Sequence, residues 1–178
     1  MLGRPSEGVK QAGCASPPLL FAFMNCPICD EVEGRVTAPG GPIYDDGLWL
    51  VSHHTGRYTD PGELLVKARR HVESIADLNG AEASSLGPVL RAAVAAVART
   101  VRPERVYVAS FGERVRHIHF YVLPRTAVLP AGHVLSDVYK RARTLLRGWG
   151  LAANPTTQAR AEAARRIGED EAWKRLTT

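Results

Sequence analysis

The apolar positions of this chain change period several times, and each change marks an element. Leu48–Ser52 and Glu63–Ala68 are short apolar runs separated by the turn-rich HHTGRYTDPG, which predicts two strands. Asn79-Gly-Ala-Glu82 then reads as a capping box. Behind it Leu86, Leu90, Ala93, Val94, Val97 and Val101 recur at helical spacing. Gly87-Pro88 lies near the start of that helix and bends it or delays its beginning. Pro103-Glu104 stops it, and Arg105–Ala109 is the next predicted strand. After the turn at Phe111-Gly112 comes HIHFY, in which His117, His119 and Tyr121 alternate with Ile118, Phe120 and Val122. A strand repeats its side chains every two residues, so the imidazoles share one open face and the apolar set faces a core.

The flanks are less regular. Residues 1–19 are rich in Gly and Pro, Leu19–Met24 is an apolar run, and Gly34–Gly47 reads as a loop. A helix near Asp137–Arg147 ends at Gly148 and Gly150, and Asn154-Pro155-Thr156 opens a last Ala- and Arg-rich helical stretch towards Leu176. Strands and helices without regular βαβ alternation predict an α+β domain on an antiparallel sheet. Neither GxGxxG nor GxxxxGK occurs, which removes the common dinucleotide and P-loop folds.

Composition adds a few limits. The 178 residues suffice for one substantial core, and 45% hydrophobic content is ordinary for a globular protein. No apolar run approaches the length of a membrane span, and the first residues lack a signal-peptide core, so the expected location is the cytoplasm. A net charge of +5 favours anionic partners, whether nucleotide or nucleic acid. Three cysteines do not make a disulfide scaffold. Two of them form Cys26-Pro-Ile-Cys29, which admits a pair of core thiols, a redox pair or half of a tetrahedral zinc site. Cys14 has no assigned role. Trp49 reads as core, His53-His54 as solvent-facing, and Arg69-Arg70 as a phosphate contact or a solvated strand end.

The stretch FGERVRHIHFYVLPR resembles the signature of the histidine-triad superfamily of nucleotide hydrolases and transferases. CPIC, the Trp-containing strand, PGELLVKARRHV and the capped helix stand upstream in the superfamily's order, so the resemblance runs from about Phe23 to Arg125. It implies a sheet of about five antiparallel strands with a packed helix, here followed by a C-terminal helical extension. The implied division is a tail at 1–18, the histidine-triad-like domain at 19–130 and the extension at 131–178. His119 takes the place of the nucleophile that attacks the α-phosphorus of a nucleotide and carries a nucleotidyl-histidine intermediate. His117 and Tyr121 flank it. Gly112, Glu113, Arg114 and Val115 take the place of the phosphate-binding turn. Superfamily members that bind structural zinc imply Cys26, Cys29, His71 and His117 as its ligands, and two-fold dimers are common among members. Phe21, Phe23 and Met24 would stand beside the base. Two residues depart from the signature: Tyr121 replaces its third histidine, and Glu113 replaces a glutamine. Tyrosine keeps a donor hydroxyl but, with an ordinary pKa of about 10, offers no cationic imidazolium at neutral pH.

Overall fold

The structure is a computed structural model that describes residues 26–125 and 144–176. The proposed tail, Cys14, Phe21, Phe23, Met24 and most of the helix expected near 137–147 lie outside the described residues. In chain order the elements are α1 (Pro27–Val32), β1 (Pro42–Asp45), β2 (Trp49–His53), β3 (Leu64–Ala68) and α2 (Gly80–Val101). They continue with β4 (Arg105–Ala109), β5 (His119–Arg125), α3 (Thr157–Gly168) and α4 (Glu171–Lys174). Residues 144–148 are also helical. The five strands form one antiparallel sheet in the order β1-β2-β3-β5-β4, so the fold is the α+β arrangement expected from sequence.

The capping box forms as predicted. Asn79 Oδ1 accepts from the Glu82 amide at 2.9 Å and Glu82 Oε2 accepts from the Asn79 amide at 2.8 Å, satisfying two donors that a helix start leaves open. α2 runs through Pro88 from Gly80, so the proline does not delay its beginning. Its most buried apolar positions are Val89, Ala92, Ala93, Ala96 and Val97, a stripe rotated slightly from the one expected. The small alanines occupy the line of closest approach, and Leu86, Leu90, Val94 and Val101 pack along its borders. Against this stripe the sheet presents Trp49, Val51, Leu64, Val66, Phe120 and Val122, which form the main core.

Two expectations are corrected. The segment Gly34–Gly47 is not all loop, because Pro42–Asp45 pairs with β2 as an edge strand. Proline is tolerated at the first position of such a strand. The last helical stretch is also two helices: α3 ends at Gly168, and Asp170 caps α4 by accepting from the Ala172 amide at 2.8 Å. α3 lies against α2, β1 and β2, and Trp173 of α4 stacks on Tyr44 at 5.1 Å between ring centroids. Gly40 makes this docking close. Its φ is +81°, and a Cβ there would stand 2.7 Å from the Ala164 methyl. Among the described residues no helix is long and apolar enough to cross a membrane.

Candidate active site and metal centre

The second face of the sheet carries the candidate site. Alternation along β2, β3 and β5 puts Leu50, Ser52, Leu65, Lys67, His119 and Tyr121 on the face away from α2. The register sets them in rows, with Lys67 opposite both Leu50 and His119, and Leu65 opposite both Ser52 and Tyr121. α1 covers this face through Cys26, Ile28, Cys29 and Val32, which cluster with Leu50 and Leu65. The imidazoles are therefore not on an open face: His117 is wholly buried and His119 is 5% exposed. Periodicity identified which residues share a side but could not reveal that a short helix closes it.

His119 is held in one useful tautomer. Its Nδ1 lies 2.7 Å from the His117 carbonyl oxygen. A carbonyl only accepts, so Nδ1 carries the proton and Nε2 presents a lone pair. Tyr121 meets the His119 ring edge-on at 5.2 Å. Burial raises the Tyr121 pKa, Glu63 adds to the rise and Arg114 opposes it, so the phenol stays a neutral donor. The preceding turn has Gly112 in the left-handed region at φ +65°, with Glu113 and Arg114 exposed and Val115 packed beside Tyr121 and α1.

Cys26, Cys29, His71 and His117 converge, their four donor atoms all within 4.8 Å of one another. Cys26 Sγ and Cys29 Sγ lie 3.6 and 3.4 Å from His117 Nδ1, and Cys29 Sγ lies 3.2 Å from His71 Nδ1. Ordinary Zn–S and Zn–N bond lengths in a tetrahedron separate sulfur from nitrogen by roughly 3.5 Å, so the donor set fits zinc. His117 Nε2–H donates to the Ala68 carbonyl at 2.8 Å, which turns the unprotonated Nδ1 towards the sulfurs. Burial, with smaller contributions from His71, His119 and Lys67, pulls the His117 pKa down to about 4, so the ring is neutral as a ligand must be. Burial and then the Cys26 thiol push Cys29 up to about 11. Only a bound cation would bring these two neighbouring thiols to thiolates at neutral pH, and the donor set is compatible with Zn²⁺.

Sequence reading missed a buried polar group beside these residues. Lys67 is wholly buried, forms an ion pair with Glu31 of α1, and donates to Ser52 Oγ at 2.6 Å. Thr55 Oγ1 donates to Glu31 Oε1 at 3.0 Å. Burial lowers the Lys67 pKa and Glu31 opposes that fall. The signal was available: Lys67 interrupts the apolar run LLVKA at a position facing His119. His53 is likewise corrected from solvent-facing to wholly buried, with Nδ1–H donating to the His54 carbonyl at 2.9 Å. Arg69 and Arg70 pair with Asp45 and Glu82. Trp49 is core, its Nε1–H donating to Ser85 Oγ at 3.0 Å.

No protein-family model matches the chain, and no curated protein matches it. Solved structures do. A zinc-bound histidine triad family protein from Mycobacterium smegmatis aligns at 22% identity and a TM-score of 0.57, covering 82% of this chain and 94% of that one. A hypothetical histidine triad nucleotide-binding protein from Sulfolobus tokodaii aligns at 14% identity and a TM-score of 0.60, covering 85% and 94%. A Hit-like protein involved in cell-cycle regulation from Bartonella henselae aligns at 15% identity and a TM-score of 0.59, covering 81% and 94%. The chain has the histidine-triad fold.

Proposed function

We propose that this protein is a nucleotide-processing enzyme of the histidine-triad type, acting at the α-phosphorus of a nucleotidyl phosphoester, phosphoanhydride or phosphoramidate. The observation that carries the proposal is the hydrogen bond from His119 Nδ1 to the His117 carbonyl, which leaves Nε2 as a nucleophile. In the proposed reaction the Nε2–P bond forms as the bond from phosphorus to the leaving oxygen or nitrogen breaks. The leaving group departs with the electron pair of that bond and gains a proton from solvent. Water then attacks the nucleotidyl-histidine, releasing a nucleoside monophosphate and restoring His119. The amides of Gly112, Glu113, Arg114 and Val115, with the Arg114 guanidinium, hold the phosphate oxygens. Zn²⁺ bound by Cys26, Cys29, His71 and His117 has a structural role, because four protein ligands close its coordination.

Adenylated and guanylated esters and amidates, together with dinucleoside polyphosphates, are the substrates to test. Release of nucleoside monophosphate, and a trapped nucleotidyl adduct on His119, are the expected results. Equal turnover by His119→Ala would sink the nucleophile assignment. Phosphate-dependent release of a nucleoside diphosphate would make the enzyme a phosphorylase. Tight nucleotide binding without turnover or adduct would make it a binding protein, a reading that Tyr121 and Glu113 favour. A reducing compartment suits the two free thiols, and we assign the protein to the cytoplasm. We also assign it as a homodimer, with α2 as the interface element; a monomeric mass at micromolar concentration would overturn this.

A further inference from the structure

His54 is the first residue after β2, and the alternation that puts Leu50 and Ser52 on the His119 face puts His54 there too. Its amide donates to the Glu63 carbonyl at 2.8 Å, which extends the β2–β3 ladder by one step. The half-buried ring stacks on Tyr121 with centroids 5.6 Å apart and planes 28° apart. Tyr121 in turn meets both His119, at 5.2 Å, and Phe111, at 5.7 Å. An imidazole from another strand thus stands directly beside the residue that occupies the third histidine's position.

The ring is also fixed in orientation. The Gly56 amide donates to His54 Nδ1 at 2.8 Å, so Nδ1 is an acceptor and the proton resides on Nε2. Gly56 is needed for this approach, because a Cβ there would lie 2.6 Å from His54 Cε1. The Gly56 carbonyl is itself held, at 2.9 Å, by both Thr59 Oγ1 and Nη1 of the buried Arg160 in α3. The His54 carbonyl accepts from His53 Nδ1–H, and Thr59 Oγ1, whose one proton serves the shorter bond to Gly56, lies 3.2 Å from it. Such anchoring from both sides exceeds what a solvent-facing turn requires.

We propose that His54 is a substrate-contacting residue of the same site, donating its Nε2–H to an α-phosphate oxygen of the nucleotidyl substrate and supplying the imidazole donor that Tyr121 replaces in the strand. Gly56 and Arg160 are its positioning residues, and through them helix α3 sets the geometry of the site. The inference rests on the proposed function. As a neutral donor His54 stabilises charge and transfers no proton, so the proton balance of the reaction is unchanged.

Imidazole ¹⁵N NMR of the full chain, as purified with its metal, titrated with AMP and GMP, separates the two levels. Shifts of both His119 and His54 Nε2 support the inference. Shifts of His119 alone overturn it and leave the proposed function standing. No shift of either histidine overturns both. Two variants test the donor itself. His54→Phe keeps an aromatic stack on Tyr121 without a donor and should lower kcat about 10²-fold, whereas His54→Gln, which restores an N–H, should recover most of that loss. Both should melt within a few degrees of the parent. Unchanged kcat in His54→Phe, or equal losses in both variants, would make His54 a packing residue and overturn the assignment.

Discussion

The two faces of the sheet come from the same pleat and the same strands, and they are held in opposite ways. Towards α2 the strands present Trp49, Val51, Val66, Phe120 and Val122, which need only shape and volume to match the helix. Towards α1 they present Ser52, Lys67, His119 and Tyr121, alternating with those same residues. Here each buried polar atom requires a particular partner, because an unsatisfied one costs about 1–3 kcal/mol. The apolar face is therefore tolerant of conservative exchange and the polar face is not. One face makes the fold stable, and the other expends part of that stability on placing reactive groups out of water.

The comparison is sharpest at His119, the proposed nucleophile. His119→Ala should reduce nucleotidyl turnover about 10⁴-fold or more while moving the melting temperature little, measured by monophosphate release alongside thermal unfolding. A large loss of stability with residual activity would reverse the roles assigned to the two faces. Next is the proposed metal centre. Elemental analysis should find one Zn²⁺ per chain, and chelation or Cys29→Ala should cost at least about 3 kcal/mol in urea unfolding. Protein made with ample zinc and found without stoichiometric metal would defeat the centre, and the sulfur–imidazole cluster would then be packing.

The buried ion pair tests the face between these two sites. Lys67→Met leaves Glu31 without its cation and should cost about 3 kcal/mol, whereas Glu31→Met/Lys67→Met together should return to within about 1 kcal/mol of the parent. Full stability in Lys67→Met would mean that water reaches Glu31 and that this face is wet. The smallest effect belongs to the capping box on the other side. The Arg70 guanidinium holds the Glu82 carboxyl below its usual range, with help from the Asn79 amide. A carboxyl pKa lowered by folding contributes stability above its unfolded value and loses it as the pH falls through the folded one. Glu82→Gln should thus cost about 1 kcal/mol at neutral pH, and the difference should vanish in acid, below the carboxylate range.

How far each face was legible in sequence follows from the same contrast. The main core could be read because apolar alternation is a property of neighbouring positions, and Leu64–Ala68 and Arg105–Ala109 emerged nearly to the residue. The histidine strand was legible for the same reason, and the cluster of Cys26, Cys29, His71 and His117 through the resemblance to superfamily members that bind zinc. The burial of that strand was not legible, because α1 is only 6 residues long and offers no helical period to detect. The Glu31–Lys67 pair joins positions 36 apart, and nothing local in either segment names its partner. His53 and His54 were misjudged together. The turn that follows them looks solvated in sequence, yet Arg160, 104 residues beyond Gly56, closes over it.

That last contact has a consequence in time. Gly56 is synthesised long before the arginine that holds it, and at about 5–20 residues per second the interval is roughly 5–20 s. During it the sheet can pair and α2 can dock, but the His54 ring lacks its final anchor. Trp173, which covers Tyr44 at the sheet's edge, arrives later still. Contacts of such separation also slow folding after release, since a long loop must close before any of them form. The order of emergence from the ribosome makes the Arg160–Gly56 anchor and the Trp173 cover the last of these contacts to form, and a nascent chain stalled within α3 would carry a paired sheet with the turn after His54 still unheld.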